Sequence, residues 1–249
     1  MREMREMPEM CEIWYEHAGT RLFAVESGTG RPWLVFHGAL ATHAATRLYA
    51  GEIPGRLITP DLRASGRSHY AGELSWDLLA DDAAALARHL GITRAVIGGF
   101  SFGAGVAVAV ALRHPQLVAA LALVHPAYGG AELGLTSAQR DAMDAMDAAG
   151  RRAPTEGIEV MYPLLPPHLA ERGRALFATY DPASVAATTR FAASGAQPFQ
   201  RATDLVAISA PTLVVPGIEP QHPPEVADVY ARHVPRCRIG ASLADAELA

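Results

Sequence analysis

Ala95-Val96-Ile97-Gly98-Gly99-Phe100-Ser101-Phe102-Gly103-Ala104-Gly105 is the stretch that decides the fold. A short apolar, β-branched run leads in, and an Ala/Val-rich run from Gly103 to Arg113 with helical character leads out. Between them Ser101 stands with Gly99 two residues before and Gly103 two residues after. That spacing belongs to a strand-to-helix turn so tight that a side chain at either glycine position would clash, and it lifts the serine hydroxyl out of the sheet. With 22 Gly and ten Ser in the chain, chance would produce only about 0.08 such patterns. The pattern is weak alone, and the strand before it and the helix after it supply the context. The plainer reading is an ordinary glycine turn with an exposed serine. Gly105 is also small, which predicts a helix lying close to the sheet, and the helix N-terminus would bring free N–H groups and positive potential under Ser101.

Strand-like and helix-like runs alternate outward from this turn, as in a mainly parallel sheet covered by helices. Glu12 to Tyr15 and Arg21 to Val25 read as short strands around an Ala18-Gly19 turn. Pro32 to Phe36, Arg56 to Thr59, Ala95 to Ile97, Val118 to Val124, Thr212 to Val215 and Arg236 to Gly240 read as further strands. Trp76 to Leu90 and Pro224 to His233 read as helices. After Tyr128 the pattern breaks. Residues 129–207 are helical, polar and interrupted by Pro154, Pro163, Pro166, Pro167, Pro182 and Pro198. They are expected to be a helical cap inserted over the mouth of the Ser101 pocket. The expected division is a flexible leader over residues 1–11, a core over 12–128 and 208–249, and the cap between.

His37-Gly38-Ala39-Leu40 follows an early buried strand, and Asp61-Leu62-Arg63-Ala64-Ser65-Gly66-Arg67-Ser68 follows the next. With the serine turn, these motifs resemble the α/β-hydrolase fold superfamily, in particular its cap-bearing serine esterases and lactonases. Ala64-Ser65 replaces the commoner Gly-His pair of the second motif. The resemblance covers nearly the whole chain and implies an α/β fold with a mostly parallel sheet. It makes Ser101 the nucleophile and the backbone N–H groups of Ala39 and Phe102 an oxyanion hole. It gives His37 and Asp61 structural roles. An Asp nucleophile, as in the dehalogenase and epoxide hydrolase branches, is excluded by Ser101.

A serine nucleophile needs a base and an acid that orients it, in the chain order Ser, acid, His. In Gly217-Ile218-Glu219-Pro220-Gln221-His222-Pro223-Pro224, Glu219 occupies the acid's place in the family pattern. The usual His position, after the last strand, has no His: none follows His233, and Ser242 with Asp245 reads as a helix cap. His222 in the acid loop, His125 at the end of a neighbouring strand and, least favoured, His233 near the far end of a helix that runs away from the active edge are the candidate substitutes, and a chain with no catalytic His is the remaining possibility.

The remaining features bound the function. Half of the 249 residues are hydrophobic, the net charge is −5, and all basic residues besides His are Arg. Without a basic stripe, neither nucleic acid nor an anionic membrane is an expected partner. No apolar run is long enough to cross a bilayer. The charged N-terminus has no apolar core and is not expected to be a signal peptide, and with only Cys11 and Cys237 a cytoplasmic location is expected. No metal-binding or phosphate-loop spacing appears, so no metal or cofactor is expected. The expected activity is serine hydrolysis of a small, largely apolar ester or lactone, with Phe100, Met161 and Tyr162 as substrate-binding residues. The alternative is a non-catalytic relative that binds a small molecule.

Overall fold

The computed structural model describes residues 10–50, 53–165 and 170–241. Its sheet has eight strands in the order β1-β2-β4-β3-β5-β6-β7-β8. β1 (Met10–His17) and β2 (Thr20–Ser27) form an antiparallel hairpin that turns through Ala18 and Gly19 at φ 46° and 69°. β2 also lies antiparallel to β4 (Arg56–Pro60). From β4 onward β3 (Pro32–Phe36), β5 (Ala95–Phe100), β6 (Val118–Val124), β7 (Thr212–Val215) and β8 (Cys237–Ile239) run parallel. β1 begins inside the stretch expected to be a leader, with Met10 paired to Ser27 and Cys11 to Glu26. The rest of that leader, and the cap read at Ser242 and Asp245, lie outside the described residues.

The centre of the sheet is buried because its strands are apolar on both sides. Ile97, Leu121, Leu123 and Val214 pack with Leu79 and Leu86 of α2 (Trp76–His89) and Val106 and Val110 of α3 (Phe102–Arg113). Each such side chain contributes about 1.5–3 kcal/mol by leaving water. α2 starts where the Ser75 hydroxyl accepts from Leu78 N–H. Gly105 does not bring α3 onto the sheet. A Cβ there would strike the Trp76 indole at 2.8 Å and the Tyr128 ring at 3.1 Å, so its small size makes room for two aromatics.

A short helix, α1 (His43–Ala50), follows β3 and has no strong signal in the sequence. Its start depends on a distant residue: Asp61, buried after β4, accepts from the backbone N–H of His43 at 2.7 Å, from its ring at 2.8 Å and from Arg67 N–H at 2.8 Å. A buried ion pair backs the same region, with the Arg63 guanidinium holding Asp82 at 2.7 and 2.8 Å.

Between β6 and β7 the chain is helical: α4 (Ser137–Gly150), α5 (Ala153–Glu156), a 3-10 stretch (Ile158–Leu164), α6 (Ala170–Phe177), α7 (Pro182–Ala193) and a second 3-10 stretch (Ala202–Ala207). These helices carry a small core of their own, with Ile158, Met161, Phe177, Tyr180 and Val185 packed together. Their polar contacts go to loops at the carboxyl ends of the strands. Tyr180 Oη donates to Leu40 C=O at 2.9 Å, Thr188 Oγ1 to Ala64 C=O at 2.8 Å and Gln139 Nε2 to Ala127 C=O at 2.7 Å. After β7, α8 (Pro224–His233) anchors through buried Tyr230, whose hydroxyl donates to Tyr128 C=O at 2.6 Å. No helix among the described residues is long and apolar enough to cross a membrane.

Candidate active site

Ser101 sits between the end of β5 and the start of α3, at φ 53° and ψ −112°. A residue with a Cβ is rarely found there, and the conformation costs on the order of 1–3 kcal/mol. Hydrogen bonds on both sides hold it: Ser101 N–H donates to Val124 C=O at 3.0 Å, and Ser101 C=O accepts from Ala104 N–H at 3.0 Å. Close packing does the rest. A Cβ on Gly99 would lie 2.1 Å from Gly103 C=O, and one on Gly103 would lie 2.4 Å from Phe36 C=O. The spacing of the two glycines is therefore set by backbone lying against backbone.

The loop after β3 lies against this turn. A Cβ on Gly38 would come within 3.6 Å of Ser101 Cβ. His37 fixes the loop: its Nε2 accepts from Leu62 N–H at 2.9 Å, so the ring proton sits on Nδ1, which donates to Gly38 C=O at 2.7 Å. Burial depresses the His37 pKa, which favours this neutral form. Next to it, no hydrogen bond occupies Ala39 N–H among the described residues. Phe102 N–H, at the first position of α3, has no intrahelical acceptor. Both donors stand beside the serine turn.

The loop after β7 brings the other polar groups. His222 Nε2 lies 2.8 Å from Ser101 Oγ. For the ring to accept the serine proton, its own proton must be on Nδ1, which faces Glu219 Oε2 at 3.3 Å. That carboxylate is close enough to pair with the ring but stands off the N–H direction, leaving Nδ1 without a true hydrogen bond among the described residues. Burial lowers the His222 pKa, against the raising effect of the Glu219 charge. Burial alone would raise Glu219, but its own backbone N–H, the two histidines and Ile218 N–H together pull it below the ordinary carboxylate value. The loop is compact because Gly217 has no side chain: a Cβ there would lie 2.3 Å from His222 Cβ.

His125, at the end of β6, is also at this edge, at φ 46° and only 3% exposed. Its Nδ1 is 3.7 Å from Glu219 Oε2, and its ring stacks against Phe100 and His222 at 5.3 and 5.8 Å between centroids. It does not meet Ser101 in a hydrogen bond; His222 does.

The expected substrate-binding residues are placed unevenly. Phe100 flanks the site, its ring 5.7 Å from His222. Met161 is wholly buried in the core of the β6–β7 helices and so presents no surface to a ligand. Tyr162 is half-buried, with the Arg174 guanidinium 5.6 Å over its ring. The Phe102 side chain turns into the core against Trp76, Tyr128 and Phe191, leaving only its backbone at the site.

Gln139 is a site-supporting residue that the sequence reading passed over. Its Oε1 accepts from Thr136 N–H at 3.0 Å in a capping box, while its Nε2 donates to Ala127 C=O and, at 3.1 Å, to Gln221 C=O beside His222. The Thr136-Ser137-Ala138-Gln139 spacing carries the capping signal. The second pair of bonds has no local signature, because Gln221 is 82 residues away.

Comparison with known proteins bears on the family and the fold. The sequence profile of the alpha/beta hydrolase fold family matches residues 26–155. A 2-hydroxymuconate semialdehyde hydrolase of Pseudomonas sp. (strain CF600) is 34% identical over 114 residues, 43% of this chain and 40% of that protein. The chain thus matches about two fifths of the length of that relative. Among solved structures, a thermophilic esterase from Thermogutta terrifontis is similar with a TM-score of 0.70 and 28% identity, over 94% of this chain and 89% of that one. The enol-lactonase from Burkholderia xenovorans LB400 shares the fold, with a TM-score of 0.72 and 22% identity over 92% and 90% of the two chains. With the profile spanning half of its length, the chain belongs to the alpha/beta hydrolase fold family.

Proposed function

We propose that the protein is a serine hydrolase that cleaves a small, largely apolar ester or lactone. The observation that carries this reading is the 2.8 Å contact between Ser101 Oγ and His222 Nε2 at the strand-to-helix turn. His222 takes the Ser101 proton as Oγ attacks the carbonyl carbon. Negative charge collects on the former carbonyl oxygen, where the N–H groups of Ala39 and Phe102 receive it. His222 then gives its proton to the leaving alcohol, and an acyl-serine remains. Water, deprotonated by the same ring, releases the acid and restores Ser101. Glu219 favours the Nδ1-protonated ring and the imidazolium that forms in each half of the cycle.

A base in the acid loop is a departure from the family pattern, and the geometry supports it over a binding-only role. A small-molecule binder has no need of a neutral imidazole aimed at a strained serine. The helices between β6 and β7 act as a cap in this reading, since they sit on Leu40, Ala64 and Ala127 around the site. Phe100 gives the site its apolar wall. The reading is tested with a fluorophosphonate probe and short aryl esters. Labelling of the wild type that disappears in Ser101→Ala is expected, together with ester turnover. A wild type that neither labels nor turns over any ester points to the binding protein instead.

A further inference from the structure

We propose that His125, Glu219 and His222 form a site for a divalent transition-metal ion of the Zn²⁺ type, and that filling it switches hydrolysis off. One nitrogen of each imidazole and one carboxylate oxygen lie within 4.8 Å of one another. The closest approaches are Nδ1 of His222 and Nδ1 of His125 to the same Glu219 oxygen, at 3.3 and 3.7 Å. Ligand atoms placed around a tetrahedral zinc ion at 2.0–2.2 Å are about 3.4 Å apart. Both carboxylate–imidazole spacings are near that value, and the two imidazole nitrogens, which lie within 4.8 Å of each other, close by a rotation of the rings. Two imidazoles and a carboxylate are also donors this ion prefers, and a fourth position stays open to water.

His125 provides the independent observation. It is 3% exposed, yet among the described residues neither of its ring nitrogens has a hydrogen-bond partner. Buried polar groups are nearly always paired, and hydrolysis as described above asks nothing of this one. Other histidine–carboxylate contacts are not comparable. In His17–Asp82, His43–Asp61 and His114–Asp81 a single imidazole meets a carboxylate already held by Arg63, by Arg67 N–H or by Arg113. At Glu219 two imidazoles converge on one oxygen, and the carboxylate is half-exposed, which leaves an entry route.

Occupation has a definite chemical consequence. A metal on Nδ1 of His222 uses that nitrogen's lone pair, so the neutral ring carries its proton on Nε2. That nitrogen faces Ser101 Oγ at 2.8 Å and can then only donate to it. The ring can no longer receive the serine proton, and the Glu219 charge is spent on the ion. The metal therefore holds the base in the wrong tautomer without touching the nucleophile. This consequence rests on the Ser101–His222 reading; the binding itself does not.

Co²⁺, whose visible spectrum reports tetrahedral coordination, is titrated into wild type and into Ser101→Ala, and Zn²⁺ is used to displace it. One displaceable ion per chain is expected in both, because Ser101 is not a ligand. In His125→Phe and His125→Asn, with folding checked by circular dichroism, affinity should fall at least about tenfold. In parallel, Zn²⁺ should abolish ester hydrolysis by the wild type and a chelator should restore it. Each variant is compared with its own metal-free rate, and the two His125 variants should need at least tenfold more Zn²⁺ for the same inhibition. No Co²⁺ binding, or equal binding by wild type and both His125 variants, overturns the site. Hydrolysis that Zn²⁺ leaves unchanged or raises overturns the switch. Specific binding by a wild type with no metal-free hydrolysis also overturns the switch, and with it the hydrolase reading, but leaves the metal site standing.

Discussion

Ser101 carries two opposed demands. Its φ of 53° is unfavourable for any side chain with a Cβ, and the proposed mechanism still needs its hydroxyl. Ser101→Gly should therefore raise the unfolding free energy by about 1 kcal/mol while removing ester turnover, whereas Ser101→Ala removes turnover with no such gain. Urea melts of both variants check this, and equal stability would mean the backbone is relaxed there. His222 makes a different test. Its pKa lies below the ordinary imidazole value because burial disfavours the cation. On the proposed mechanism this ring acts as a base when neutral, so kcat/KM should fall as pH drops through that lowered value and hold constant near neutrality. An acid limb centred below about 6.5 is expected. Loss of a triad member costs about 10³-fold or more, and His222→Ala should reach that. Glu219→Gln should cost less, since the carboxylate is 48% exposed and out of line with Nδ1.

At the scale of elements, the site is held by residues far from it in sequence. Gln139 at the start of α4 ties the helices between β6 and β7 to the loop that carries His222. Gln139→Glu keeps an oxygen for the Thr136 cap but replaces the amide donor with a carboxylate facing two carbonyls. A drop in kcat of about tenfold or more is expected while α4 stays helical by circular dichroism. Asp61 has the same kind of role for α1. Burial, the largest single influence, raises its pKa, but the hydrogen bond from His43, the nearby histidine charges and Arg67 N–H outweigh it and leave the value lowered. The unfolded chain then takes up this proton at higher pH than the folded one. The stabilisation is complete above the unfolded carboxylate value and is lost as pH falls through the lowered folded value. Asp61→Asn should cost about 2 kcal/mol at pH 7, and its deficit against wild type should shrink in acid. These links also explain how far the sequence can be read. Strands such as Pro32–Phe36 and Val118–Val124 are apolar throughout, so their limits show in the sequence. α1 starts on a carboxylate contributed by another loop, and nothing in its own residues announces it. The serine turn is legible because its glycines are a local steric requirement. The proximity of His125 to Glu219 is not, because it follows from β6 and β7 being neighbours in the sheet. Met161 reads as a ligand-facing residue on hydrophobicity alone, which cannot tell a pocket wall from the inside of a helical layer.

For the whole molecule, what matters is where on the sheet the parts of the site are mounted. Ser101 and the backbone N–H groups of Phe102 and Ala39 belong to the β5–α3 turn and the loop after β3, in the buried centre. His222 and Glu219 belong to the loop between β7 and α8, next to an edge where Leu213 is 45% and Ile239 48% exposed. An edge with less burial opens at lower cost than the centre. Ser101 and His222 are 121 residues apart along the chain, so their contact closes a long loop at an entropic cost. Such distant pairings are the slow part of folding. Chains refolding from denaturant should recover their helical signal first and hydrolytic activity later. In rising urea, activity should vanish before the sheet melts, and coincident transitions would show that the edge and the centre unfold as one unit. An alpha/beta hydrolase built in this way would report on its own completion: turnover would mark the last contact to form in folding and the first to break in unfolding.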